Sequence, residues 1–145
     1  MYLIAAVLSI PHFLTRNMFK FVVHHNNLTT VEAYIGSIEH PHQRYMLMEI
    51  HRLLMTFSGV KTKIRYRLLF YDGIKWICYL KPIKGKEIEI CFLNGFKLTE
   101  RSYLQAANRK IVKGITINEI TDSKLEMIAE VFTEALLIDQ ANKHQ

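Results

Sequence analysis

Between Val60 and Asn94 apolar and polar residues alternate, which is the period of a β-strand with one buried and one wet face. In the first run Ile64, Tyr66, Leu68 and Phe70 share one parity, while Lys61, Lys63, Arg65 and Arg67 share the other. In the last run Ile88, Ile90 and Phe92 oppose Glu87 and Glu89. Asp72-Gly73 and the stretch from Pro82 to Lys86 interrupt the alternation, and Asn94-Gly95 closes it. These are turn residues, because Gly accepts positive φ, Asp and Asn tolerate it, and Pro fixes φ. The pattern predicts three strands of an antiparallel meander, with the apolar face left for helices.

Helical spacing flanks the meander on both sides. Thr29 or Thr30 can cap a helix that carries Val31, Tyr34, Ile35 and Ile38. Pro41 suits the first turn of a second helix, which should run to about Phe57 with Met46, Ile50, Leu53, Leu54 and Phe57 on one stripe. Ser58-Gly59 should end it. Past Asn94 the periodicity fades; a short helix is expected from Glu100 to Ala107, then a β-branched edge strand within Ile111 to Ile120. Thr121 or Asp122 should cap a last helix with Leu125, Ile128, Ala129, Phe132, Ala135 and Leu136 on its buried stripe and Glu134 outside it. The expected fold class is α+β: an antiparallel β-sheet meander with helices packed on one face. Residues 1–27 read as an N-terminal extension, with a short strand suggested by Phe19, Phe21 and Val23; residues 28–140 form the domain and 141–145 a polar tail.

Composition narrows the class without naming a ligand. The chain has 145 residues, enough for one well-cored domain, and 50% of them are hydrophobic against 22% charged, a globular balance. The net charge of +6 favours anionic partners in general. The apolar run Tyr2 to Ile10 is too short to span a bilayer and lacks a basic flank and a small-residue cleavage site, so a cytoplasmic protein with no membrane partner is expected. Cys78 and Cys91 both fall in strands, where two buried free thiols in a reducing compartment are expected unless the register sets them opposite each other.

The order of aromatic and turn positions carries a family resemblance. Two helices, a Lys-rich approach to Phe70-Tyr71, the run Trp76-Ile77-Cys78-Tyr79-Leu80, the strand ending Phe92-Leu93-Asn94-Gly95, then Arg109-Lys110 and the helix after Asp122 resemble the YdhG-like family of small bacterial proteins. The resemblance covers roughly Leu28 to Asp139 and implies a fold that is frataxin-like in outline. Some members are described as intracellular iron chaperones. This chain carries Leu69 where members commonly carry proline, and its early helices hold only Glu32, Glu39 and Glu49, where hard iron ions would want an acidic surface.

Several groupings could carry chemistry. His24-His25, His40, His42 and His51 read as surface histidines, because nothing in their spacing converges on a metal. No G-x-S-x-G, P-loop or dinucleotide fingerprint is present, so neither an enzyme nor a cofactor is expected. The basic row Lys61, Lys63, Arg65 and Arg67, extended by Lys75 and Lys81, reads first as the solvated face of a one-sided sheet. Beside Tyr71, Trp76 and Tyr79 it also resembles a weak platform for single-stranded nucleic acid. Tyr66, Phe70, Trp76 and Tyr79 could instead rim a pocket between sheet and helices. The function expected is therefore that of a non-enzymatic binding or accessory protein for a small molecule or another protein, with iron carriage and nucleic-acid binding as the alternatives.

Overall fold

The computed structural model describes residues 30–84 and 86–141. The expected extension over 1–27 with its short strand, the Thr29 cap, His24-His25 and residues 142–145 of the tail lie outside the described residues. Helices α1 (Thr30–Gly36) and α2 (Pro41–Met55) lead into strands β1 (Lys61–Arg65), β2 (Leu68–Asp72), β3 (Trp76–Ile83) and β4 (Glu87–Phe92). A 3-10 turn (Gly95–Lys97), strand β5 (Lys113–Ile117) and helix α3 (Asp122–Ala141) follow. Neighbours in sequence are neighbours in the sheet, so the strand order is β1-β2-β3-β4-β5, and every pairing is antiparallel. The fold is α+β, with a meandering sheet covered by helices on one face.

The helices form where the apolar stripes place them. Pro41 starts α2, and Arg44 ties the helix entry by donating to the Ile38 carbonyl at 2.6 Å and the Glu39 carbonyl at 3.0 Å. Met46, Leu47, Ile50 and Leu54 are fully buried against the sheet. The helix stops at Met55, one turn's fraction earlier than expected, because Thr56 folds its hydroxyl back onto the Leu53 carbonyl and Gly59 then takes a φ of +80°. In α3 the cap is Thr121, whose Oγ1 accepts from the Lys124 amide at 3.2 Å. Leu125, Ile128, Ala129, Val131 and Phe132 are buried, and the Phe132 ring meets Phe57 edge-on at 5.0 Å. No helix among the described residues is long and apolar enough to cross a membrane.

The first β run is the main departure from expectation. It is not one strand but a hairpin: Arg65 pairs with Leu68 across a two-residue loop, Tyr66-Arg67, with φ of +54° and +61°. Positive φ at both loop positions is the type I′ pattern, whose twist matches that of the flanking strands. The reversal puts Leu69 and Tyr71 into the core with Cys78, Leu80, Ile88, Ile90, Phe92, Ile115 and Ile117, and sends Phe70 to the opposite face.

Two smaller expectations change, while that of two buried free thiols holds. Pro82 is not in the turn but in β3, opposite Ile88; it lies past the last β2 pair, where β3 is no longer a central strand. The segment from Glu100 to Ala107 is not helical. Its backbone is drawn into other bonds: Gln105 makes a two-bond bridge to Gly114, and Arg101 pairs with Glu134 at 2.9 Å. Cys78 faces Phe92, while Cys91 faces Tyr79, so the thiols lie on opposite faces of the sheet and both are free. Glu134, though outside the apolar stripe, accepts from the Thr99 amide at 2.9 Å and the Thr99 hydroxyl at 2.6 Å.

Phe132→Ala should therefore cost about 3–5 kcal/mol, since it removes a fully buried ring and leaves a cavity. Leu137→Ala, on the same helix but 62% exposed, should stay within about 0.5 kcal/mol. Urea titration of both variants checks this; similar losses would mean that α3 presents a different face to the sheet.

Candidate functional site

The face of the sheet turned away from the helices divides into two halves. Over β4 and β5 it is closed by an ion pair. Arg109 grips Glu89 with two bonds, Nη2 to Oε2 at 2.6 Å and Nη1 to Oε1 at 3.3 Å, and also donates to the Ala106 carbonyl at 2.8 Å. Burial works to raise the Glu89 pKa, but the bonds from Arg109 and Cys91 outweigh it and hold the carboxyl below its usual value. The carboxylate lies flat over Gly114, where a Cβ on residue 114 would collide with it, so this strand position needs glycine. Cys91 is wholly buried here, and burial, with Glu89 beside it, pushes its thiol up to about 12.

Over β1, β2 and β3 the same face carries rings. Phe70 is 3% exposed although it points away from the core, because other side chains cover it. Tyr79 stacks on it at 5.0 Å, Trp76 meets it edge-on at 5.4 Å and Tyr66 leans in at 6.3 Å. The outer rings stay open: Tyr66 is 79% exposed and Trp76 43%. Arg65 binds the cluster together. Its guanidinium lies 4.1 Å from the centre of the Trp76 ring, and it donates to both oxygens of Asp72 at 2.9 and 2.7 Å. Planar stacking with in-plane bidentate pairing is what a guanidinium can do and an ammonium cannot.

The expected ligand-lining set Tyr66, Phe70, Trp76 and Tyr79 is thus brought together, but not where expected. It lies on the helix-free face and not between sheet and helices: the hairpin at Tyr66-Arg67 turns Phe70 outward beside Tyr79, and the register shift between Tyr71 and Asp72 brings Trp76 to the same side. The expected basic row keeps Lys61, Lys63 and Arg65 on this face and loses Arg67 to the hairpin. Lys61 and Lys63 are exposed on this face, Arg67 moves to the exposed turn tip, and Arg65 is neutralised by Asp72. Lys81 adds an exposed cation from β3, opposite Glu89 in register. Asp72 carries a turn signal in the sequence and nothing that announces its pairing with Arg65, and Arg109 stands out there only through the family resemblance. The signal for Glu89 was its outward parity against Ile88 and Ile90.

Several other titratable side chains are tied into the fold. His51 is not a surface histidine: its Nδ1 lies 2.8 Å from the hydroxyl of fully buried Tyr71, and burial, then the charge of Arg52, push its pKa down to about 4. His42 bonds the Asn118 carbonyl at 2.7 Å. Burial raises the Cys78 thiol well above its ordinary value. Among the described residues no three His, Cys, Asp or Glu side chains converge as a metal site. A groove of about 480 Å³ opens between Gly59, Gly73, Ile74 and Leu136, but its carboxylate, Asp139, is spent on the Ile74 amide at 2.7 Å and the Lys75 amide at 3.0 Å. Compared with known proteins, the chain matches no family model, no curated protein and no solved structure.

The His51–Tyr71 contact has a pH signature. A histidine whose folded pKa lies near 4, below about 6.5 when unfolded, leaves stability independent of pH above about 6.5. Below that the unfolded chain takes up a proton that the folded chain refuses, so stability falls towards pH 4, by up to about 3 kcal/mol. Urea midpoints between pH 7 and 4.5 should decline more steeply in the native protein than in His51→Gln. Parallel curves would show that the imidazole is not held neutral.

Proposed function

We propose that this protein is a non-enzymatic binding protein of the YdhG-like kind, and that its anionic partner docks on the helix-free face over β1, β2 and β3. The observation that carries the reading is the pairing of open rings with unspent cations. Tyr66 and Trp76 are exposed around a covered Phe70, and Lys61, Lys63, Arg67 and Lys81 surround them as exposed side chains. Asp72, on the same face, is cancelled by Arg65, so the local field stays positive. Two free buried thiols fit a cytoplasmic setting.

The inert settings of His51, Cys78 and Cys91 support binding over catalysis, since a working base or nucleophile needs an open, activated form. Iron carriage has less support. Asp72, Glu89, Glu134 and Asp139 already accept protein donors, which leaves them little capacity for a hard cation.

Titration with inorganic polyphosphate at low salt tests the docking face without assuming a base or a peptide. The native protein should bind, Lys61→Glu with Lys63→Glu should bind at least about tenfold more weakly, and the effect should fade as salt screens it. Lys97→Glu with Lys110→Glu, at the other edge of the sheet, should bind like the native protein. Equal loss in both double variants would mean that only net charge matters and that this face is not the site.

A further inference from the structure

On the reading that the helix-free face is a docking site, we infer that its ligand is single-stranded nucleic acid, with bases against Tyr66 and Trp76 and phosphates beside Lys61, Lys63 and Arg67. A polyphosphate or an acidic peptide would satisfy the cations alone. The rings ask for something more: Tyr66 stands 79% exposed at the hairpin tip next to Arg67, and Trp76, with Arg65 over its ring and Phe70 against it edge-on, still leaves 43% of its surface open. Flat ligands with a charged backbone use both features, because every base has a face to stack and every linkage a phosphate to neutralise. A duplex offers only its phosphates to such a face, since its bases are already stacked on one another.

The hairpin turn supplies a second, independent argument. Both loop residues, Tyr66 and Arg67, sit in the left-handed region, with φ of +54° and +61°. Asn-Gly fills that turn with less steric conflict, and an aromatic residue there is an unfavourable choice for stability. Tyr66 has little packing to compensate, given its exposure. What the two residues contribute is a ring and a guanidinium projecting from the tip of the platform. Strain retained where it presents a stacking group and a cation together is the pattern of a binding loop.

The arrangement also sets the form of the binding curve. Lys61, Lys63, Arg67 and Lys81 can neutralise up to four phosphates, so the affinity should fall with salt at a log–log slope of about −3, from about −0.7 for each phosphate on a single strand. Arg65 adds no such contact while Asp72 holds it.

The experiment is fluorescence anisotropy of a short labelled oligothymidylate with the full chain at about 150 mM salt. Competing duplex and polyphosphate carry the same number of phosphates. The single strand should bind about tenfold or more tighter than either competitor, as one stacked base supplies. It should also quench Trp76, the single tryptophan of the chain. The decisive variant is Tyr66→Asn with Arg67→Gly, which relieves the turn: it should melt no lower than the native protein yet bind about tenfold more weakly. Polyphosphate binding as tight as the single strand would overturn the nucleic-acid assignment while leaving the docking face. Undiminished single-strand binding by the relieved variant would also overturn it, and failure of all three probes to bind would remove both readings.

Discussion

A two-residue reversal decides what every residue of β2 faces. With Tyr66 and Arg67 both at positive φ, Arg65 comes opposite Leu68, and from there the pairing runs outward through Leu69 with Ile64 to Asp72 with Lys61. A shift of one residue would exchange the two faces of β2, placing Phe70 in the core and Leu69 and Tyr71 in water. The turn is not left to hold this register alone. Arg65 and Asp72, seven residues apart, clamp the two strands on the outer face, and the guanidinium is itself clamped by Trp76 from β3. The first three strands therefore share one polar fastening on the helix-free side and one apolar core on the other.

Charged and polar side chains elsewhere do the same kind of fastening. Gln43, buried on α2, donates from its Nε2 to the carbonyls of Ile83 and Glu87, both at 2.8 Å, and so holds the two stems of the β3–β4 connection to the helix. Glu134 holds Thr99 and Arg101, and Glu89 holds Arg109, so the long irregular segment before β5 is tied at both ends. These pairs are only half-buried, so removing one partner costs less than it would in the core, but it frees one end of the segment. The segment lacks regular structure because its backbone and its neighbours' side chains satisfy each other through these ties.

Much of this was legible in the sequence, and the part that was not has a definite cause. Helix stripes repeat over several turns, so Met46, Ile50, Leu54, Leu125, Ile128 and Phe132 declared themselves, and Ile88, Ile90 and Phe92 did the same in β4. The hairpin was hidden because its loop lacks Asn, Asp and Gly, and because Lys61 to Leu68 keeps alternating straight through it. Period two has no memory of a reversal. The aromatic set survived the error, since Tyr66, Phe70, Trp76 and Tyr79 do meet; the face on which they meet did not. Pairings such as Arg65–Asp72 and Glu89–Arg109 depend on register and on a loop's path, neither of which one sequence states.

Asp139 sits on the last helix and accepts the amides of Ile74 and Lys75, across 65 and 64 residues of chain. Its carboxylate also fills the space where a side chain at Gly73 would stand. Those three residues lead directly into Trp76. During synthesis the sheet and the first two helices leave the ribosome before α3, so the turn that carries Trp76 stays without its cap until the end of the domain has emerged. The strands can pair earlier, through contacts close in sequence, but the face that presents the rings is completed by one of the longest-range bonds in the domain. A nascent chain would thus acquire its fold in sequence order and its finished surface only at the last step.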